Sequence, residues 1–138
     1  MELEQCINFV LTKVQQSVQQ VFKEDLEPFG VTPGQYMVLK CLWDKNGMTV
    51  KQLADRLQLD SSTITGILDR LENKGMTKRK PDLNDRRALS VVLTTKGKAL
   101  KKSVNQVIID ANRKVLESLE NQESGQLKVL LQKINLAE

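Results

Sequence analysis

The sequence predicts a mostly α-helical fold that carries one small β-hairpin, and three observations support this prediction. Most of the 138 residues fall into segments whose apolar side chains recur every three or four positions. Helix-capping and helix-ending residues separate these segments, and a stretch typical of paired strands lies between about residues 78 and 93. Hydrophobic residues make up 40% of the chain and aromatic residues only 4%, which predicts one domain, or one domain plus extra helices, with an aliphatic core.

The N-terminal segment, residues 1–29, is predicted to form an amphipathic helix from Leu3 to about Leu26. Its apolar positions lie three or four residues apart, at Leu3, Ile7, Val10, Val14, Val18 and Val21. Pro28 and Gly30 are expected to end it. The outer face is rich in glutamine and nearly uncharged, so it can pack against another protein at a lower cost than a heavily charged face.

Two further helix starts share one capping pattern, a threonine followed three residues later by a glutamine. The pairs are Thr32 with Gln35 and Thr49 with Gln52. The first of these helices is expected to stop at Asn46-Gly47. In the second, Ala54 is small at a position where two helix backbones must approach closely.

A third helix is predicted from residue 61 to about 74, capped by Asp60 or Ser61 and closed by Gly75. One face is an apolar stripe of Ile64, Ile67, Leu68 and Leu71. The opposite face is polar and mostly small, with Ser62, Gly66, Asp69 and Asn73, flanked by Thr63, Thr65 and Arg70. Short side chains at a helix N-terminus suit the DNA major groove, although such residues are also ordinary caps and solvent-facing groups.

After Gly75 the pattern changes to that of a hairpin. Lys78-Arg79-Lys80 leads into a turn-rich stretch, and residues 88–93 have the composition of a strand. The hairpin tip carries Arg86 and Arg87 beside Asp85. A positive finger of this kind can enter a DNA minor groove, and the alternative is a solubilising turn. A polar helix followed directly by such a hairpin describes a winged helix-turn-helix.

Residues 98–138 are predicted to supply the remaining helices. Thr94-Thr95 can cap a long helix that reaches about Leu119. A break over residues 121–125 precedes a last helix, whose apolar residues are Leu127, Leu130, Leu131 and Ile134.

Charge and composition favour some functional classes and disfavour others. From Asp69 to Lys102 the chain has eleven basic and four acidic residues, a local charge of +7, and the remainder carries −3. Such a cluster suits a polyanionic partner, with a solvated surface as the alternative.

The absence of histidine removes the commonest activator of nucleophiles and the commonest zinc ligand, so we expect no enzyme, no cofactor and no metal site. Two cysteines and no membrane-length apolar run favour a reduced, cytoplasmic protein.

The stretch from Leu53-Ala54-Asp55-Arg56-Leu57 to Gly97 resembles the MarR family of winged helix-turn-helix transcriptional regulators, and the similarity runs nearly end to end. Leu71-Glu72-Asn73-Lys74-Gly75 is typical of the end of that family's recognition helix. Asp85-Arg86-Arg87-Ala88, followed by Val91-Val92-Leu93-Thr94-Thr95-Lys96-Gly97, resembles its wing signature. The resemblance implies a homodimer with dimerisation helices in 1–29 and 98–138. The DNA-binding region would span 32–97, with a recognition helix at about 61–74 and a wing at about 78–93.

The resemblance also implies the DNA contacts. The major groove would be faced by Ser61, Ser62, Thr63, Thr65, Gly66 and Arg70. Arg87 would enter the minor groove beside Arg86, Asp85 would orient the wing, and Lys78 and Arg79 would lie nearer the phosphate backbone. The partner would be a palindromic double-stranded operator with half-sites about one helical turn apart.

The function predicted on these grounds is sequence-specific regulation of transcription. The protein would act as a repressor, and a small molecule or an oxidant would release it from DNA. Two alternatives stay open: a nonspecific architectural DNA-binding protein, and a winged-helix module that binds another protein.

Cys6 is the candidate redox sensor. Some members of the family sense organic peroxides through a cysteine in a comparable place, which tyrosine hydroxyls hold, but the single tyrosine of this chain is Tyr36. A small apolar packing role for Cys6 is the alternative. Cys41 is expected to be a buried packing residue, and Trp43 and Met37 to be core residues or the lining of a small-molecule pocket.

Overall fold

The computed structural model describes residues 1–134, and within them the chain forms seven α-helices and three short strands. The helices are α1 (Ile7–Leu26), α2 (Pro33–Asp44), α3 (Val50–Leu57), α4 (Ser61–Asn73), α5 (Thr95–Ala99), α6 (Lys101–Leu116) and α7 (Asn121–Ile134). The strands are β1 (Met48–Thr49), β2 (Thr77–Pro81) and β3 (Leu89–Leu93). The predicted fold class, mostly helical with a small β-wing, is confirmed. The last four residues of the predicted C-terminal region, 135–138, lie outside the described residues.

The first helix begins later than the apolar spacing predicted. Leu3–Gln5 form a separate turn of 3-10 helix, closed by a hydrogen bond from the backbone N–H of Glu2 to the side chain of Gln5. Cys6 then adopts an extended conformation (φ −75°, ψ 116°) and precedes α1 as its N-cap. A step of four residues from Leu3 to Ile7 fits one continuous helix equally well, so apolar spacing alone did not locate this break.

Both predicted capping boxes are present. The backbone N–H of Gln35 donates to Thr32 Oγ1 at 3.2 Å, and that of Gln52 donates to Thr49 Oγ1 at 3.1 Å. In each box the glutamine side chain accepts a hydrogen bond from the backbone N–H of its threonine in return. These local bonds satisfy N–H groups that a helix start leaves unpaired, which is why the two starts could be predicted.

Helix α2 ends at Asp44, before the predicted stop at Asn46-Gly47, because those two residues bind the sheet. Asn46 Oδ1 accepts a hydrogen bond from the backbone N–H of Leu93 at 2.9 Å, and the N–H of Gly47 donates to the carbonyl oxygen of Val91 at 3.0 Å. The strand β1 that follows was not predicted, since two residues are too few to show an alternating pattern.

The three strands form one antiparallel sheet in the order β1-β3-β2. Met48 pairs with Val91 in β3, and the β2–β3 hairpin runs in register from Thr77 opposite Leu93 to Pro81 opposite Leu89. Residues 82–88 therefore form the exposed tip of the wing.

The core lies between α2, α3, α4 and the inner face of the sheet. Its fully buried side chains include Leu39, Leu42, Leu53, Ile64, Leu68, Leu71 and Val91. Cys41 is buried, as predicted, and Trp43 also belongs to this core, whereas Met37 is exposed.

Two helices were predicted after the wing. The last one begins at Asn121, inside the break predicted over residues 121–125, and the first, longer one is divided. That segment divides into α5 and α6 at Leu100, which keeps helical dihedral angles (φ −76°, ψ −18°). Helix α6 packs along α1. No side chain of α7 is buried among the described residues, and its apolar residues Leu127, Val129, Leu130, Leu131 and Ile134 are exposed.

Candidate nucleic-acid interface

The N-terminus of α4 is organised by the carboxylate of Asp60. Asp60 Oδ1 accepts a hydrogen bond from the backbone N–H of Thr63 at 2.7 Å and one from Ser62 Oγ at 2.8 Å. The bond from the Thr63 backbone, followed by that from Ser62, lowers the pKa of the Asp60 carboxyl. Asp60 is thus an ionised N-cap, a favourable position for an anion because the helix dipole is positive there.

The two faces of α4 divide as the sequence predicted. Ile64, Leu68 and Leu71 are fully buried in the core, and Ile67 is partly buried. The predicted reading residues are all exposed: Ser61, Ser62, Thr63, Thr65, Gly66 and Arg70. A Cβ atom added to Gly66 would meet no atom within 4 Å, so the helix surface is open at this position.

The turn between α3 and α4 begins with a residue in a left-handed conformation. Gln58 has a left-handed conformation (φ 55°, ψ 44°), and among residues 1–134 it is the one non-glycine residue with a positive φ. The backbone N–H of Leu59 then donates to the carbonyl oxygen of Ala54 at 3.1 Å. Left-handed backbone is costly for most L-residues, so this conformation is held by the packing of α3 against α4.

The wing tip is organised by Asp82, a residue that the sequence analysis did not single out. Its carboxylate accepts hydrogen bonds from the backbone N–H groups of Asn84 at 3.0 Å and Asp85 at 2.9 Å, and from the hydroxyl of Ser90. The Ser90 bond is the main cause of the lowered pKa of the Asp82 carboxyl. The signal for this role was a Pro-Asp pair at the start of a turn, where aspartate often binds backbone two residues further on.

The predicted wing contacts Asp85, Arg86 and Arg87 lie on this tip. Asp85 Oδ1 accepts a hydrogen bond from the backbone N–H of Arg87 at 3.0 Å, and the Arg87 Nε atom is 4.0 Å from the same oxygen. The Arg87 side chain is 96% exposed, and Arg86 is exposed too. Asp85 therefore holds the backbone at Arg87 while the guanidinium extends into solvent.

Of the predicted phosphate contacts, Lys78 is exposed but Arg79 is engaged within the protein. Arg79 Nη2 lies 2.6 Å from Asp69 Oδ1, and Arg79 Nε lies 2.7 Å from Glu72 Oε1. A further bond joins Nη2 to Glu72 Oε2 at 3.1 Å. The Arg79 side chain is only 22% exposed, and the bonds to Glu72 and then Asp69 raise its pKa. These contacts tie β2 to α4, an arrangement that the sequence analysis did not predict.

A groove of about 770 Å³ separates the wing from the start of α3. Its charged lining comprises Lys45, Lys51 and Arg87 together with Asp55, Asp82 and Asp85. Trp43 and Met37, which the sequence analysis considered as a pocket lining, do not line this groove.

The remaining candidate chemistry is limited. Cys6 is partly buried at the start of α1, and both Cys6 and Cys41 are free thiols. Within residues 1–134 no group of three or more carboxylate or cysteine side chains is arranged to hold a metal ion. No helix in the same range combines the length and apolar character needed to cross a membrane.

Comparisons with known proteins agree with this geometry. A family model described as the MarR family matches residues 31–89. A 71-residue stretch is 46% identical to the transcriptional regulator TtmR of Methylorubrum extorquens, and it covers 51% of this chain but only 36% of that protein. The organic hydroperoxide resistance transcriptional regulator of Bacillus subtilis is 35% identical over 101 residues, which cover 73% of this chain and 69% of that protein.

A third relative has a solved DNA complex. The multiple antibiotic resistance protein MarR of Escherichia coli is 32% identical over 122 residues, covering 88% of this chain and 85% of that protein. The crystal structure of a mutant of that protein complexed with operator DNA superimposes with a TM-score of 0.88, at 29% identity, over 97% of this chain and 98% of the other. With these matches and the winged helix-turn-helix described above, the chain belongs to the MarR family.

Proposed function

We propose that this chain is a sequence-specific, DNA-binding transcriptional regulator that acts as a homodimeric repressor. The observation that carries the proposal is the pairing of two exposed elements on one scaffold. Helix α4 turns small polar side chains to solvent while its other face is buried, and the wing holds Arg87 extended beyond its tip. A helix and a basic wing side by side match the major and minor grooves of one duplex.

In this proposal the residues predicted from the sequence make the DNA contacts, except Arg79, which is engaged within the protein. The N-terminal half of α4 enters the major groove, where open space at Gly66 permits close approach of the helix backbone. Arg87, with Arg86 beside it, enters the minor groove, and Asp85 positions the backbone there. Exposed Lys78 contacts phosphate.

Dimerisation is supported by the apolar surface that one chain leaves uncovered. The helices within 1–29 and 98–138 expose large apolar side chains, including Ile7, Leu11, Val14, Leu127, Leu130 and Ile134. A lone protein rarely leaves such surface in water, and a second copy would bury it. A two-fold dimer requires a palindromic operator, and a bound dimer represses by blocking polymerase.

Two routes could release the repressor, a small molecule or an oxidant. The groove between the wing and α3 adjoins Arg87, so a small molecule bound there would compete with DNA for the wing. Cys6 is the candidate for oxidation.

We propose a cytoplasmic location and no enzymatic activity, in keeping with two free thiols and with relatives named as transcriptional regulators.

The decisive experiment is selection of a duplex from a random-sequence pool, followed by titration of the selected duplex and a scrambled duplex at matched salt. We expect the selected duplex to be palindromic and to bind at least about 1,000-fold more tightly. Equal affinity for both, falling uniformly with salt, would favour the architectural alternative. Binding to neither duplex would favour the protein-interaction alternative.

The release mechanism is tested on the same selected duplex with an organic hydroperoxide and, separately, with an aromatic carboxylate. If Cys6 is the sensor, hydroperoxide releases the wild-type protein and not Cys6→Ser. Release of both proteins would remove Cys6 from the mechanism.

A further inference from the structure

The ion pair between the wing and α4 places the Arg79 guanidinium against the carboxylates of Asp69 and Glu72. In the proposed complex these two carboxylates would otherwise face DNA. Residues 62, 66, 69 and 73 share one face of α4, so Asp69 lies two turns from Ser62 on the proposed reading face. Its side chain is 58% exposed, and Glu72 follows at 31%. A carboxylate next to a phosphate is repelled, so these two residues oppose the proposed function unless they are neutralised.

We propose that Arg79 is a positioning residue that serves as the internal counter-ion of Asp69 and Glu72 and makes no phosphate contact of its own. The inference rests on the proposed DNA-binding function and deepens it. It replaces the role that the family resemblance implied for Arg79, that of a residue nearer the backbone of the duplex.

The geometry of the guanidinium supports this assignment. Three hydrogen bonds of 2.6–3.1 Å engage Nη2 and Nε with both carboxylates. Such a fork is the strongest form of arginine–carboxylate contact, and turning Arg79 toward phosphate would break it. Lys78 and Lys80 flank Arg79 on β2 and are exposed, as alternation along a strand requires, so the phosphate-facing cations of β2 are these lysines.

The two roles predict different coupling between residues. With Arg79 present the three groups carry a net charge of −1, and without it the charge is −2. If Arg79 acts by holding Asp69 and Glu72 on the protein and away from phosphate, its removal matters only while those two side chains are charged. If Arg79 contacts phosphate, its removal costs the same factor whether or not those carboxylates are present.

The test is a mutant cycle of four proteins: wild type, Arg79→Gln, Asp69→Asn/Glu72→Gln, and the combined triple variant. Affinity is measured at one salt concentration on the selected duplex and on a scrambled duplex. We expect Arg79→Gln alone to weaken binding about tenfold. In the background without the two carboxylates, the same change should alter binding by less than about twofold. Equal losses in both backgrounds would overturn the inference and restore the phosphate contact.

Two further variants separate charge from fold. Arg79→Lys keeps the charge without the fork and should stay within about threefold of wild type, whereas a loss as large as that of Arg79→Gln would contradict neutralisation. Lys40→Gln removes a cation from the Lys40–Asp44 pair on α2, 2.9 Å apart, and is the matched control, expected within about twofold. Melting temperatures of all variants show whether a loss of affinity is a loss of folding.

The outcome also distinguishes this inference from the proposed function. Coupling of the same size on both duplexes, without preference between them, would support the counter-ion role while removing sequence specificity. Preference for the selected duplex without coupling would support sequence specificity while removing the counter-ion role. Failure of the wild-type protein to bind either duplex would overturn both.

Discussion

The indole Nε1 of Trp43 in α2 donates a buried 3.0 Å hydrogen bond to the carbonyl oxygen of Gly97 in α5, 54 residues further along the chain. Gly97 in turn packs against the backbone of Met76, just before β2 begins. One contact therefore joins the core of the DNA-binding region, the base of the wing and the start of the C-terminal helices.

Trp43→Phe should lower the free energy of unfolding by about 2 kcal/mol, because the buried Gly97 carbonyl loses its donor and the smaller ring leaves a gap. Denaturant unfolding followed by circular dichroism measures this, since the variant lacks the single tryptophan. Tyr36→Phe is the control: its hydroxyl makes no hydrogen bond within residues 1–134, so we expect a change below about 0.5 kcal/mol. If Trp43→Phe lowered the free energy of unfolding as little as Tyr36→Phe, the indole hydrogen bond would contribute little.

Gly97→Ala should be more damaging still. A Cβ atom at this position would lie 2.1 Å from the carbonyl oxygen of Met76, so α5 and the base of the wing would have to separate. We expect a loss of about 3 kcal/mol in unfolding free energy. Gly66→Ala in α4 is the contrast, because open space surrounds it and alanine favours a helix by about 1 kcal/mol. Equal stability of Gly97→Ala and wild type would mean that the close approach is not required.

The parts of the fold that sequence predicted are those decided by neighbours in the chain. Thr32 and Thr49 each bind a residue three positions away, and the buried stripe of α4 follows from helical spacing. The break at Cys6 was missed because a 3-10 turn preserves the same apolar spacing. Strand β1 was missed because its identity depends on β3, more than forty residues away.

The candidate interface shows the same division. The exposure of Ser62 and Arg87 follows from a helix face and a turn, both visible in the sequence. The partners of Arg79 are not visible in the sequence, because charge composition does not show whether an arginine on a strand faces solvent or a neighbouring helix. Only the packing of β2 against α4 brings its guanidinium to Asp69 and Glu72.

The cap at Asp60 should make stability depend on pH. Because hydrogen bonds in the folded state lower the pKa of this carboxyl below its ordinary 3.8, the cap stabilises the fold above that value. Its contribution is lost as the pH falls through the lower folded-state pKa, where the carboxyl is protonated in both states. Asp60→Ala should therefore be less stable than wild type at neutral pH, and the gap should close on acidification.

Urea unfolding of both proteins, from neutral pH down to about pH 2, tests this. Asp60→Asn is the control, since asparagine also caps but does not ionise, and its contribution should be flat over the range. A gap between wild type and Asp60→Ala that stays constant down to the acid end would contradict the role of the ionised carboxylate.

Leu130→Glu should dissociate the proposed homodimer. Leu130 is 56% exposed on α7 in the single chain, within the apolar surface that we assign to the partner. A buried charge there should weaken the dimer by at least about thirtyfold, which sedimentation velocity over a concentration series would measure. Gln132→Glu, at an exposed polar position of the same helix, should leave the dimer intact. A Leu130→Glu protein that stays dimeric when diluted would place the interface elsewhere.

Arg87→Ala should weaken binding to the selected duplex by about 1–3 kcal/mol, and Arg86→Ala by less, because Asp85 fixes the backbone at Arg87. The Arg87 side chain is 96% exposed and meets Asp85 only at 4.0 Å, so its removal should leave the melting temperature unchanged. A fall in affinity without a fall in stability can then be assigned to a lost DNA contact. In an Asp85→Ala background, Arg87→Ala should weaken DNA binding less. Without the bond from the Arg87 backbone N–H to Asp85, the wing no longer positions the guanidinium. Full additivity of the two changes would show that Asp85 does not orient Arg87.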